Sequence, residues 1–438
     1  MNNHRLLTGL LAGALLSGGV CSAQSPRVLT LSELYESAEA NSTQLRPAFT
    51  AIEEAEKAIS TARANRLPDI SASLSVSYIG DGFTTQRNFS DYQRAPIPHL
   101  GTGLGVNVTQ PLFTGGAITE GIRMAEIKAD GARQSADLQR NIIRFQLTDI
   151  YLNLYKYSNL QKVIESNLTA ARRVLDDMKA RYEQGTALLN DITRYELLIS
   201  NIELEQIRIG NMLDILNTNL TTIAGLPSGT QVVPDSTILD RSLPQQGEEW
   251  WQMRADENSP QLALARTGVS MSQRAEKLTR AERLPKIGLQ AGWTMDGPIL
   301  VEIPPINRNL SYWYVGLGVS YNLSSLFKTN KAMAQSRVAT IKAQEELEAA
   351  GEQISLEVRA DHIKYMEAYE ELTSREKAVE LALRNYHTTS TRYQNDMALI
   401  TDMLDAANSR LDAEQQLINA RINIIYCYYK LLFTSGKI

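Results

Sequence analysis

Asp402 and Asp405 are the two side chains of this sequence best spaced to act together. Residues i and i+3 share a helix face, so the segment Tyr393-Gln394-Asn395-Asp396-Met397-Ala398-Leu399-Ile400-Thr401-Asp402-Met403-Leu404-Asp405-Ala406 presents two carboxylates on one side. Bordering a narrow aqueous passage, such a pair selects cations and repels anions. A local role can coexist with this one, because an aspartate in the first turn of a helix is stabilised by the helix dipole. A parallel segment, Gln184-Gly185-Thr186-Ala187-Leu188-Leu189-Asn190-Asp191, offers a third carboxylate at Asp191.

Enzyme chemistry finds little footing. His99, His362 and His387 show no metal-ligand spacing of the H-E-x-x-H kind, and Asp361-His362 reads as a solvated pair on a helix. There is no glycine-rich phosphate loop, no G-x-S-x-G and no C-x-x-C. Neither catalysis nor a metal or cofactor is expected. A net charge of −5 over 438 residues gives no basic footprint for nucleic acid.

The first residues read as an export signal spanning 1–23: Arg5, a short apolar run from Leu6 to Leu16, and Cys21-Ser22-Ala23 before Gln24. The run is too short to span a bilayer, which takes about 20 apolar residues. Gly18-Gly19-Val20 is a poor lipobox, so whether Cys21 is lipidated stays open. After cleavage Cys427 alone remains, excluding an intramolecular disulfide.

The elements that position the aspartates occur twice. Asn41-Ser42-Thr43-Gln44-Leu45 returns as Asn258-Ser259-Pro260-Gln261-Leu262, and Arg66-Leu67-Pro68 as Arg283-Leu284-Pro285. Gly103-Leu104-Gly105-Val106 returns as Gly316-Leu317-Gly318-Val319, and Arg181-Tyr182 as Arg392-Tyr393. A unit this long is a duplicated domain, since solenoid repeats run about 20–50 residues. The expected organisation is a first repeat at 24–227, an irregular linker at 228–247 and a second repeat at 248–438.

Each repeat should open with one helix, from Thr30 to Leu67 and from Glu248 to Leu284, stopped by Pro68 and Pro285. Thr30 and Glu33 form a capping box, with Leu29 and Leu34 as its hydrophobic staple. The period then becomes two. Ile70, Ala72, Leu74, Val76 and Tyr78 alternate with serines, and Leu104, Val106 and Val108 with Gly103, Gly105 and Asn107. Ile287, Leu289, Ala291, Trp293 and Met295 form the third strand, and the stretch from Trp313 to Leu323 the fourth. One face is apolar, with Tyr78, Trp293, Trp313 and Tyr321 as an aromatic girdle; the other is Gly- and Ser-rich, as a water-filled lumen requires. Four strands cannot close a membrane barrel, and lipid tolerates no open edge, so several chains must share one. The loops Gly80 to Leu100 and Asp296 to Ser311 read as irregular.

Proline is then absent from Ala117 to Glu183 and from Lys331 to Asn395. Helices of that length extend on the order of 100 Å. Ile118, Ile122, Ala125, Ala129, Ala132 and Ala136 alternate spacings of four and three, a coiled-coil seam. Shorter helices from Leu188 to Ala224 and from Ala398 to Leu432 return antiparallel to it.

This order of elements resembles the TolC-type outer-membrane efflux proteins over essentially the whole mature chain. Leu29-Thr30-Leu31-Ser32-Glu33, the doubled Arg-Leu-Pro, Gln110-Pro111-Leu112-Phe113-Thr114-Gly115-Gly116 and the two helix–turn tips carry the resemblance. It implies a mainly α chain with a membrane β-barrel portion. Three chains, each giving four strands and long antiparallel coiled-coil helices in two repeats, form the barrel and a periplasmic tunnel. It further implies a homotrimer in outer-membrane lipid, working with a periplasmic adaptor and an inner-membrane pump. By the same resemblance Asp402 and Asp405 form the entrance constriction, and Asp191 and Tyr393 belong to a closed-state latch. Gly185, Thr186, Ala187, Leu188, Met397, Ala398 and Leu399 make the adaptor-docking tips. The family's best-known member has an arginine in that latch where this chain has Ala398, so Arg181 or Arg392 is a candidate substitute. The expected function is the exit channel of an efflux or type I secretion system, gated at the tips. A periplasmic coiled-coil scaffold and a pump-independent porin are the rivals; neither the cargo nor the pump class is legible.

Overall fold

The computed structural model describes residues 26–238, 243–302 and 304–438; the expected signal segment 1–23 with Cys21 lies outside the described residues. The order is β1 (Arg27–Leu29), α1 (Leu31–Asn41), α2 (Arg46–Ala64), β2 (Asp69–Tyr78), β3 (Gly82–Thr84), β4 (Gln93–Ala95), β5 (Leu100–Phe113), α3 (Ala117–Glu183) and α4 (Leu189–Ala224). The second half follows with β6 (Val232–Pro234), α5 (Glu248–Asn258), α6 (Pro260–Ala281), β7 (Lys286–Gly297), β8 (Leu310–Ser320), α7 (Ser325–Gln394) and α8 (Ile400–Thr434).

The opening helix of each half is two helices, which corrects the single helices expected from Thr30 to Leu67 and from Glu248 to Leu284. Pro47 and Pro260 lack the N–H that would continue the ladder, and their rings crowd the preceding turn. The last N–H groups before each break still close, Ser42 on Ala38 and Ser259 on Ala255, both at 2.9 Å. The Thr30–Glu33 capping box forms: Glu33 accepts the Thr30 N–H at 2.8 Å and Thr30 Oγ1 accepts the Glu33 N–H at 3.3 Å.

A glycine at the end of each return helix seats against each break. Gly225, at φ +67°, lies where a Cβ would come within 2.6 Å of the Asn41 Cβ; Gly436, at φ +99°, lies against the equivalent Asn258. The duplication seen in the sequence is thus repeated in the packing.

β2, β5, β7 and β8 form one antiparallel sheet in that order, open at β2 and β8. Ser71, Asn107, Gly292 and Tyr314 lie side by side across it, and on the opposite face so do Ala72, Val106, Trp293 and Trp313. The fourth strand is displaced from the expected Trp313–Leu323 to Leu310–Ser320. Its upper residues pair with Asp296, Met295 and Thr294, and below it Asn322 turns the chain by accepting the Ser324 N–H at 3.2 Å. The loop after β2 is partly regular: β3 and β4 pair, Phe83 stacks on Tyr92 at 4.7 Å, and Asp81 holds Arg94.

α3 has 67 residues and α7 has 70, the latter starting at Ser325 rather than Lys331. Ile122, Ala125, Ala129 and Ala136 of the expected seam are buried, while Ile118 and Ala132 are half-buried. Return helices cover only part of this length. Near the sheet α3 packs on α2 and α6, with ion pairs Arg63–Glu126 and Arg133–Glu56 and a Thr267–Gln134 hydrogen bond of 2.6 Å. Further down, Leu160, Ile164, Leu168 and Met178 interlock with Ile192, Tyr195 and Ile199 of α4. Each such buried side chain contributes about 1.5–3 kcal/mol.

Between these zones lies a belt. β1 and β6 pair in parallel, and Tyr151 donates to the Leu29 carbonyl at 2.8 Å while accepting the Asp235 N–H at 2.7 Å. The stretch 228–247 therefore contains β6 as well as irregular chain. Among the described residues no helix is long and apolar enough to cross a membrane.

Candidate functional site

The candidate site sits at the far end of the two hairpins, where α3 turns into α4 and α7 into α8. Both turns are built alike. Gly185 takes φ +75°; its N–H bonds the Tyr182 carbonyl and that of Thr186 bonds Arg181, each at 2.9 Å. In the second turn the left-handed residue is Asp396, at φ +60°; its N–H bonds Tyr393 at 3.1 Å and that of Met397 bonds Arg392 at 2.8 Å. These are Schellman closures, in which the left-handed position ordinarily takes glycine.

Asp396 has a reason to be there. Arg181, from the last turn of α3, forms an ion pair with its carboxylate. The same guanidinium donates to the carbonyls of Tyr393 at 3.4 Å and Gln394 at 3.3 Å, and lies 5.8 Å from the Tyr393 ring centroid. Arg181 thus caps the C-terminus of α7 from the neighbouring hairpin, where cations are favoured. Of the two candidate arginines, it is Arg181 that bridges the tips; among the described residues Arg392 makes no ion pair. Asp396 was missed from sequence. The signal was present, since it occupies the repeat position of Gly185, and an aspartate there needs an explanation.

Tyr393 is half-buried against the apolar cluster of α3 and α4. Burial, and after it the nearby Asp191 carboxylate, raise its hydroxyl pKa, while Arg181 acts in the opposite sense. Among the described residues no hydrogen bond joins Tyr393 to Asp191. The structure brings the pair close, while Arg181 contacts Tyr393 through its backbone carbonyl and ring face and pairs with Asp396.

Asp402 and Asp405 are both exposed on one face of α8, while Met403 and Ala406 are buried on the other. Asp402 Oδ2 accepts the Leu399 N–H at 3.1 Å, so this residue does cap its helix. That bond uses one oxygen and leaves the carboxylate in water beside Asp405. Leu188, Met397 and Leu399 are 68%, 61% and 69% exposed, with Gly185 and Thr186 exposed and Ala187 and Ala398 half-buried. The turns therefore present apolar side chains to solvent.

At the other end of the molecule, Trp293 and Trp313 are directly paired across β7 and β8, and Trp293 Nε1 donates to Ser311 at 3.0 Å. Tyr78 ends β2 stacked on His99 at 5.1 Å, and Tyr321 follows β8. Among the described residues no cluster of His, Cys, Asp and Glu is placed to hold a metal ion.

A sequence model described as outer membrane efflux protein matches residues 34–226 and 251–425, one stretch in each half. The chain belongs to the outer membrane efflux protein family. It is 22% identical to the outer membrane protein TolC of Vibrio cholerae over 93% of this chain and 91% of that protein. It is 20% identical to the outer membrane efflux protein BepC of Brucella suis, over 97% and 89%. Its fold superposes on the Vibrio cholerae outer membrane protein VceC with a TM-score of 0.76 at 16% identity, covering 93% of this chain and 96% of that one. The Campylobacter jejuni CmeC outer membrane channel matches with a TM-score of 0.74 at 12% identity, over 93% and 85%. Members of the family are channels rather than enzymes, and this protein is an outer-membrane exit channel of efflux with a helical part in the periplasm.

Proposed function

We propose that three copies of the chain join their sheets into one twelve-stranded barrel and their helices into one tunnel, closed at the tips until a periplasmic adaptor docks. The observation that carries this reading is the sheet itself: one apolar face, one face of Gly and Ser, and two unpaired edges, β2 and β8. An edge cannot remain open in lipid. The helices support the same reading. Leu197, Leu204 and Ile215 lie on one exposed face of α4, and Leu356, Ile363 and Leu381 on one exposed face of α7. Spacings near whole turns make these continuous apolar stripes, and a second copy supplies a partner of matching character.

Substrates would then pass from an inner-membrane pump through the adaptor into the tunnel. The two aspartates of α8, repeated three times, form stacked carboxylate rings at the entrance, and Arg181 with Asp396 and Tyr393 holds the tips together. The apolar turn residues Leu188, Met397 and Leu399 are the adaptor's contact. The channel itself draws on no energy source; the pump drives transport.

The test is single-channel conductance of the purified protein in a planar bilayer, wild type beside Asp402→Asn/Asp405→Asn. The expected result is a small cation-selective conductance, blocked by divalent ions, with both properties weakened in the variant. A channel indifferent to the substitutions would remove the aspartates from the gate. Folded protein without any conductance would favour a periplasmic scaffold.

A further inference from the structure

The polar face of the sheet ends in a cleft that the channel reading leaves unused. Lys286 begins β7 and pairs with Ser320, the last residue of β8. Both lie on the face of Gln290 and Gly292, opposite Ile287 and Val319, because side chains alternate along a strand. Below them the chain turns through Asn322 into α7. A cleft of about 610 Å³ opens here, lined by Glu282, Lys286, Ser320, Ser324, Ser325 and Lys328 among others.

Its charge and its hydroxyls point to one ligand chemistry. Lys286 and Lys328 make no ion pair among the described residues, nor does Glu282, so the cleft holds two cations against one anion. Ser325 is only 5% exposed, yet its hydroxyl has no hydrogen-bond partner. Buried hydroxyls are normally paired. The first turn of the 70-residue α7 adds its positive end. Its leading N–H groups are already closed, however, on the carbonyls of Asn322, Leu323 and Ser324, so recognition falls to side chains.

We propose that this cleft binds a phosphate group, one per chain, at the foot of the barrel. Lysine ammonium groups supply charge and the Ser320 and Ser325 hydroxyls supply donors to phosphate oxygens, a combination that favours phosphate over chloride. The ligand comes from the water of the channel rather than from a lipid headgroup, because Lys286 and Ser320 share the Gly/Ser face and not the apolar one. The proposal rests on that face being the lumen. With carboxylates at the entrance and lysines at the junction of helices and sheet, a solute meets opposite charges at two levels of the conduit.

The experiment titrates inorganic phosphate into the purified full-length protein in detergent by calorimetry, with bilayer conductance recorded on the same preparation. Saturable binding is expected in wild type, weakened about tenfold or more in Lys286→Gln/Lys328→Gln, the loss of two charge-assisted contacts. Ser325→Ala should weaken it by about threefold. Glu282→Gln should tighten it by about threefold, a gain that misfolding cannot produce. Equimolar chloride should not compete. Wild type without saturable binding, or a lysine variant that binds as well, overturns the site. A conducting channel with no phosphate binding sinks this proposal and leaves the channel reading intact. Binding that is lost on reconstitution into phosphatidylglycerol vesicles but kept in phosphatidylcholine places the site on the lipid side and overturns the lumen source.

Discussion

Arg181 at the end of α3 is paired with Asp396 in the turn between α7 and α8, so one chain ties its own two hairpins together at the tip. Asp396 lies at positive φ, where an L-residue costs about 1–2 kcal/mol relative to glycine. Its carboxylate is exposed, and such a pair contributes no more than about 1 kcal/mol to stability. Set against that backbone cost, the pair adds little or no net stability.

Asp396→Gly separates the two effects. It removes the carboxylate and relieves the backbone, so the melting temperature should stay level or rise. If the pair restrains the entrance, closed-state conductance should nevertheless increase several-fold. Arg181→Gln should give the same leak, and the double variant no more than either alone. An Asp396→Gly channel as tight as wild type would deny the pair any part in closure. Because Asp396 is exposed, the wild-type leak should also grow as salt rises from low to physiological strength.

Asp402 and Asp405 differ in one respect that a paired experiment can use. Asp402 caps Leu399 and Asp405 makes no such bond. An asparagine side-chain oxygen can still accept the Leu399 N–H from the third helical position, and only the charge favoured by the helix dipole is lost, so Asp402→Asn should cost no more than about 1 kcal/mol, and Asp405→Asn should cost no cap at all. Both should lower cation selectivity, read from the reversal potential in a salt gradient. Stability lost without any change in selectivity would leave Asp402 with its local role alone.

Much of this fold could be read from the chain because its signals are local and doubled. Pro68 and Pro285 stop helices, Ile70 to Tyr78 alternates cleanly, and Ala117 to Glu183 contains no breaker. The helix breaks were not foreseen because Pro47 and Pro260 sit inside otherwise good helical sequence, where a first-turn proline and a disruptive one look the same. The Arg181–Asp396 pair joins residues 215 apart, and no local pattern reports such a contact. Its trace was the exchange of Gly185 for Asp396 between repeats, a change in backbone requirement rather than in periodicity.

Gly225 offers a test of how the repeats are fastened. Alanine there meets both positive φ and the Asn41 backbone, whose carbonyl carbon would lie 2.7 Å away. The expected loss is about 1–3 kcal/mol, seen as a lower heat-dissociation temperature on a gel. Gly116→Ala is the control. That glycine has φ +91° but open space around its missing Cβ, so only the backbone term of about 1–2 kcal/mol remains. Equal effects at the two positions would mean the seat against Asn41 has no energetic weight.

Cys427 reports on the packing of α8. Burial, and after it the Asp361 carboxylate, push its thiol pKa from 9.0 up to about 11. The neutral thiol is the form the fold favours, so this contribution is complete below pH 9 and is lost as pH rises toward 11. Native protein at pH 8 should therefore react with maleimide far more slowly, on the order of a hundredfold, than urea-unfolded protein. Fast native labelling would show that α8 opens locally.

The apolar stripes give the assembly its sharpest test. Leu204 lies 15 residues above the start of α4 and Leu381 lies 13 residues above the end of α7, so both stand about 20 Å from the tips. The two helices run in opposite directions, and both side chains are about half exposed in the single chain. If α4 of one copy packs on α7 of the next, these residues face each other. Leu204→Glu and Leu381→Lys should then each shift the detergent-solubilised protein from trimer toward monomer in light scattering, since each places a charge in an apolar seam. Combined, they place opposite charges together and should recover part of the trimer. Full trimer in both single variants would show that these stripes face something other than a second copy.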